Sequence, residues 1–182
     1  MGYYYDMVTW EEDEIDFKSD LRDLKIGILN GEKKFEIKQE GIEKNLKVLD
    51  FISEVFPGDI ITGSLCLSLY GLINRNLNDI DLIIKDENRF TDYVKDLYGY
   101  EKKILDNRLG YKSFTFKKSF FSKRRNYKVD FFKQVDDIKT DYLIHNGAKI
   151  KIDRPVNVIS HKMNMNGHKH RADLYRIFNK LN

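Results

Sequence analysis

The stretch from Asp59 to Ile84 constrains the fold more than any other, because its apolar pattern changes twice within a short length. Asp59 to Thr62, just after Pro57-Gly58, predicts a short buried strand, and Ser64 to Ile73 predicts a helix. Asp79 to Ile84 then alternates acid and aliphatic, which predicts a second strand. Residues two apart on a strand share a face, so Asp79 and Asp81 stand side by side while Ile80, Leu82 and Ile84 enter the core. A strand, helix, strand unit follows.

Two neighbouring carboxylates repel, and such a pair is costly unless it is solvated or holds a cation. Hard oxygen ligands about 7 Å apart along a strand suit Mg²⁺ bridging phosphate oxygens. Gly63-Ser64, where the first strand meets the helix, would present backbone N–H groups and a hydroxyl to the same phosphate. Taken singly, each part has an ordinary reading as a solvated strand face or a plain turn.

Around this unit the pattern is mixed. From Gln39, Ile42, Leu46, Leu49, Ile52 and Phe56 recur at helical spacing until Pro57-Gly58 ends the run. Asn88 to Tyr98 predicts a helix, and Tyr111 to Lys118 and Tyr127 to Phe132 predict strands. Asn146-Gly147 between two apolar runs predicts a hairpin over Tyr142 to Ile152, and Asn30-Gly31 predicts a turn within Leu24 to Ile37. Pro155 suits a helix start, and Leu174, Ile177, Phe178 and Leu181 line a terminal helix. The expected class is α/β (α+β), a mixed β-sheet flanked by helices with further helices at the C-terminus. Residues 39–182 form the expected domain and 1–38 an N-terminal extension.

Composition narrows the setting. At 182 residues, with 41% hydrophobic and 34% charged, the chain suits one domain with a real core. It lacks an apolar run of the ~20 residues that a membrane span needs, and its start has no basic, apolar signal pattern. Cys66 is a lone cysteine, and the four histidines do not make a structural zinc framework. A cytoplasmic location without membrane contact is expected. The net charge of +3 is uneven: residues 1–20 carry −6, leaving +9 on the rest. Lys117, Lys118, Lys123, Arg124, Arg125 and Lys128 form the densest cationic cluster, interleaved with Phe120, Phe121 and Tyr127. It is either a solvated loop or a place for RNA phosphates, with Lys123, Arg124 and Arg125 as candidate contacts.

The order Gly63-Ser64, helix, Asp79-Ile80-Asp81-Leu82 resembles the signature of the DNA polymerase β-like nucleotidyltransferase superfamily. Leu69-Tyr70-Gly71-Leu72-Ile73, with Arg75 shortly before the acidic strand, is most similar to the AbiEii abortive-infection group, as is the spacer of fourteen residues between Ser64 and Asp79. The resemblance implies a nucleotidyltransferase-like sheet with Gly63, Ser64 and Arg75 at the nucleotide. It also implies a third carboxylate from a later strand, for which Tyr127-Lys128-Val129-Asp130-Phe131-Phe132 offers Asp130. Paired beside the first acidic strand, Asp130 would lie about 5.5 Å from its opposite residue. Asp136 and Asp137, in an expected loop, are weaker candidates. Val158 to Met163 and His168 to Tyr175 are also similar to AbiEii-like proteins, which implies Lys162 at the triphosphate and Asp173 as a further site residue. Otherwise Lys162 is solvated and Asp173 pairs with Arg171 or Arg176. His161, His168 and His170 suggest a phosphate-facing or exposed turn rather than a metal site.

Two functions from different classes follow. The first is an Mg²⁺-dependent nucleotidyltransferase, with two ions on Asp79, Asp81 and Asp130 and a nucleoside triphosphate as substrate. Its acceptor is a hydroxyl of an RNA or tRNA 3′ end, a protein or a small molecule such as an aminoglycoside. The resemblance implies RNA or protein, a toxin-antitoxin or phage-defence context and an antitoxin-like partner. The second is a non-catalytic nucleotidyltransferase-like module that binds RNA or protein; keeping mutually repelling carboxylates argues against it.

Overall fold

The computed structural model describes residues 34–77, 79–84, 111–117, 126–133, 138–165 and 167–181, with Asp23 and Gly27. The expected turn at Asn30-Gly31 and helix from Asn88 to Tyr98 lie outside the described residues. Helix α1 (Gln39–Val55) leads into β1 (Ile60–Thr62), α2 (Gly63–Leu69) and β2 (Ile80–Ile84). Strands β3 (Tyr111–Lys117), β4 (Asn126–Lys133), β5 (Thr140–His145) and β6 (Ala148–Asp153) follow, then α3 (Pro155–Met163) and α4 (His168–Leu181).

The strands make one six-stranded mixed sheet in the order β3-β4-β2-β1-β6-β5. β1 runs antiparallel to β2 and parallel to β6, and β2 runs parallel to β4. The expected α+β class, a mixed sheet flanked by helices with helices at the C-terminal end, is the one observed. Ile61, Leu82, Val129, Phe131 and Ile152 join the core with Leu49 and Ile52 of α1, Leu65 and Leu69 of α2, and Ile159 of α3. Phe51 of α1 stacks on Tyr127 at 4.3 Å between ring centroids, and Phe56 meets Phe131 edge-on at 5.3 Å. The 145–148 hairpin turns through Asn146 (φ 49°) and Gly147 (φ 76°), the paired positive dihedrals that tight hairpins favour. None of the helices, among the described residues, is long and apolar enough to cross a membrane.

Two details depart from the sequence pattern. Leu46, expected on the buried stripe of α1, is 42% exposed, while Asn45 is buried. The cause is the close crossing of α1 over α2: a Cβ on Gly41 would lie 2.5 Å from the backbone oxygens of Ser68 and Leu69. Asn45 Nδ2 fills that crossing, donating to the Gly41 carbonyl at 2.8 Å and to Ser68 Oγ at 2.9 Å. Secondly, α2 stops at Leu69 rather than at Ile73. Gly71 turns to φ 68°, the Leu72 N–H reaches back to the Leu67 carbonyl and the Gly71 N–H to that of Ser68. This is a Schellman end, which a glycine in the left-handed region provides at little strain.

Gly41→Ala should therefore destabilise more than an ordinary helix substitution, since the obstructing atoms are backbone. Urea unfolding should show a lower midpoint with an unchanged slope, a loss of about 1–3 kcal/mol.

Candidate functional site

The site grows from the strand register. Thr62 pairs with Asp81 across β1 and β2, and Asp81 pairs with Asp130 across β2 and β4. Paired residues on neighbouring strands share a face, and strands lie about 4.8 Å apart, so two carboxylates enter one narrow zone. Asp79 directly precedes β2 rather than lying in it. Burial, then Asp79, then Asp130 push the Asp81 carboxyl up to about 6. Gly63 takes φ 61°, and an ideal Cβ there would sit 1.9 Å from Asp81 Oδ2. Only a glycine backbone can approach that carboxylate so closely.

The outer carboxylates carry ammonium partners. Lys128 Nζ donates to Asp130 Oδ2 at 3.0 Å and lies 4.0 Å from Asp79 Oδ2. Lys169 Nζ of α4 approaches the same Asp79 oxygen at 3.3 Å. Beside them is a buried cationic group built around Asp173. The fully buried Asp173 carboxylate accepts from Arg75 Nε at 2.8 Å and Nη2 at 2.9 Å, and from Lys162 Nζ at 3.0 Å. Arg176 adds a longer contact at 3.4 Å. Arg75 Nη2 and Lys162 Nζ both also donate to Ser64 Oγ, at 2.6 and 3.5 Å. Burial alone would raise the Asp173 carboxyl, but the Arg75 hydrogen bonds and the Lys162 charge outweigh it and hold it at about 2.

Gly63, Ser64, Arg75, Asp79, Asp81, Asp130, Lys162 and Asp173 are thus brought into one region. Lys123, Arg124, Arg125, Asp136 and Asp137 lie outside the described residues. The alternative reading of Asp173, an ion pair with Arg171 or Arg176, holds in part. Arg176 does pair with it, but its main partners are Arg75 and Lys162, because α4 turns this residue inward with Leu174 and Ile177. Lys162 is likewise buried rather than solvated.

Two site residues went unread as such in the sequence, Lys128 and Lys169. Lys128 stands two residues from Asp130 on a strand and Lys169 four from Asp173 on a helix, so both lie on faces already of interest. Among the described residues, no three acidic, cysteine or histidine side chains close around a single point. As arranged, Asp130 is turned onto Lys128 and Asp79 onto Lys169. The donors themselves, clustered carboxylate oxygens with no sulfur or imidazole among them, are the kind that Mg²⁺ takes. His170 Nδ1 is buried with no hydrogen-bond partner among the described residues, and burial lowers the pKa of the ring, so this histidine adds no cation to the site.

No protein-family model matches the chain, and no curated protein matches it. Among solved structures, JHP933 from Helicobacter pylori is similar, with a TM-score of 0.51 at 15% identity over 78% of this chain. The chain spans 66% of JHP933, just under two thirds. A second H. pylori protein, a proposed nucleotidyltransferase, has a TM-score of 0.46 at 15% identity, covering 69% of this chain and 59% of its own. At such identity the likeness to JHP933 is one of fold.

Asp81 and Asp173 give opposite pH windows. Asp81 is protonated more readily folded than unfolded, so its ionisation costs stability as pH rises from about 4 through 6. Asp173 does the reverse: its contribution is present above its ordinary value near 4 and is lost as pH falls towards about 2. With a chelator present, Asp81→Asn should lessen the fall in the urea midpoint between pH 4 and 6, leaving the part that the raised Asp153 carboxyl contributes, and keep stability at pH 7 equal to wild type or higher. Asp173→Ala should instead cost about 3–5 kcal/mol at pH 7, because Arg75 and Lys162 lose their buried counter-charge.

Proposed function

We propose that this protein is a divalent-cation-dependent nucleotidyltransferase that moves a nucleoside monophosphate from a nucleoside triphosphate to a hydroxyl acceptor. The observation that carries the reading is the in-register pair Asp81 and Asp130, with the Gly63 backbone against one carboxylate and the Ser64, Arg75 and Lys162 group alongside. Acid and base stand next to each other, as a metal–triphosphate ligand with both signs of charge requires.

In this reading Asp79, Asp81 and Asp130 would hold Mg²⁺, which supplies charge neutralisation for the triphosphate and lowers the pKa of the acceptor hydroxyl. The acceptor hydroxyl gives up its proton to solvent as its oxygen attacks the α-phosphorus, the bond to the bridging oxygen breaks, and pyrophosphate leaves with that electron pair. Arg75 and Lys162 offset phosphate charge from one side. Their buried partner Asp173 fixes both side chains before substrate arrives, so little reorganisation is left for binding. Lys128, which now donates to Asp130, would have to turn away for that carboxylate to hold a cation.

The acceptor we favour is RNA, such as a tRNA 3′ end, or a protein, in the toxin-antitoxin or phage-defence setting, with an antitoxin-like partner, that the AbiEii resemblance implies. A second reading, a non-catalytic RNA- or protein-binding module, draws on the Lys128 and Lys169 ion pairs, which neutralise the carboxylates without any ion.

Thermal melts with each nucleoside triphosphate separate the two. Mg²⁺-dependent protection is expected, about 2.7 kcal/mol at one hundred times the dissociation constant. Incubation with labelled triphosphates and total RNA, or total protein, should then label one pool, and Asp79→Asn and Asp81→Asn should abolish labelling while remaining folded. Wild-type turnover in either variant at saturating Mg²⁺ removes the catalytic assignment, and the absence of any nucleotide effect leaves the binding module.

A further inference from the structure

Asp153, at the end of β6, is a buried carboxylate with no part in the reaction scheme above. Its Oδ2 accepts from Thr62 Oγ1 at 2.8 Å, and its Oδ1 accepts from the Arg154 N–H at 2.8 Å and Asn157 Nδ2 at 2.7 Å. Its backbone carbonyl accepts from Cys66 Sγ at 3.1 Å. One residue therefore ties together the end of β1, helix α2 and the first turn of α3.

The direction of the Thr62 hydroxyl is the informative detail. Thr62 is the N-cap residue of α2, extended at φ −132° and ψ −165°, yet its side chain makes no capping hydrogen bond to the helix. A threonine in that place ordinarily accepts from an N–H of the first turn. Here the hydroxyl donates away to Asp153, so the Gly63-Ser64 turn is held from behind. At α3 the N-cap residue is Arg154, whose side chain has no acceptor, and Asp153 Oδ1 takes both its N–H and the Asn157 amide. The strands do not need this tie, because β1 and β6 are already paired through Ile60–Lys151 and Ile61–Ile152.

What the tie does fix is distance. Gly63-Ser64 follows Thr62 directly, and α3 carries Lys162, whose Nζ reaches Ser64 Oγ at 3.5 Å. We infer that Asp153 is a positioning residue, which through Thr62 and Asn157 locks the Gly63-Ser64 turn against α3 and so sets the spacing between that turn and Lys162 for a triphosphate. The inference rests on the proposed nucleotidyltransferase reading and adds to it a residue that touches neither metal nor nucleotide.

Thr62→Val tests it with little disturbance, since valine keeps the shape and the extended backbone and deletes only the hydroxyl. ATP, GTP, CTP and UTP with Mg²⁺, and Mn²⁺ alone, are titrated into wild type, Thr62→Val, Asp153→Ala, Asp153→Asn and Thr62→Val/Asp153→Ala. Thr62→Val and Asp153→Ala should each weaken binding of the preferred triphosphate about tenfold, the size of one net hydrogen bond. Mn²⁺ affinity should stay at the wild-type value, because the carboxylates are untouched. Asp153→Asn should recover most of the affinity, since its Oδ1 contacts remain and the Thr62 hydroxyl can accept from the new amide. The double variant should be no weaker than the worse single one. If wild type binds a triphosphate and Thr62→Val binds it equally well, or if Mn²⁺ and triphosphate weaken together, the positioning role is overturned. If wild type binds no triphosphate, the functional reading falls first and takes this role with it.

Discussion

Holding Asp81 and Asp130 at the same level of adjacent parallel strands is the arrangement to which the surrounding chain responds. Two carboxylates about 5 Å apart in a half-buried place are strongly unfavourable. The protein meets this in three ways. The Asp81 carboxyl is pushed up, Lys128 is drawn onto Asp130, and Lys169 is drawn from α4 onto Asp79. α4 packs into the core through Leu174 and Ile177 and carries Lys169 to Asp79.

A second charged group sits beside the first with its signs reversed. Around the acidic strands, partly exposed lysines compensate carboxylates; around Asp173, one buried carboxylate compensates cations in the interior. Ser64 lies between the two groups, buried, with its hydroxyl accepting from both Arg75 and Lys162. Removing a partner from such a group leaves a charge without water or counter-ion, which is more damaging than any single contact is stabilising.

The parts of this arrangement that follow from local periodicity were legible in the sequence. Alternation placed Asp81 on a strand, aromatic and β-branched content placed Asp130 on another, Asn146-Gly147 marked the hairpin, and Pro155 marked the start of α3. What escaped was set by tertiary contact. Leu46 is exposed while Asn45 faces the crossing of α1 and α2 at Gly41, where its amide meets the Gly41 carbonyl and Ser68 Oγ. Arg171 and Arg176 were the sequence neighbours of Asp173, whereas Arg75 is 98 residues away, a separation that no spacing rule reports. Lys128 was visible as charge, but its role depends on β4 lying directly beside β2.

Those separations bear on how the protein comes into being. Arg75 and Asp173 are 98 residues apart, as are Ser64 and Lys162, while Thr62 and Asp153 are 91 apart. Closing such loops carries an entropic cost that local contacts do not repay, so these links form late in folding. A chain emerging from the ribosome can pair β2 with β4, and bring the carboxylates face to face, before α3 and α4 have been made. For that interval the nascent protein holds the acidic half of the site without Lys162, Lys169 or Asp173, and synthesis of α3 and α4 supplies them.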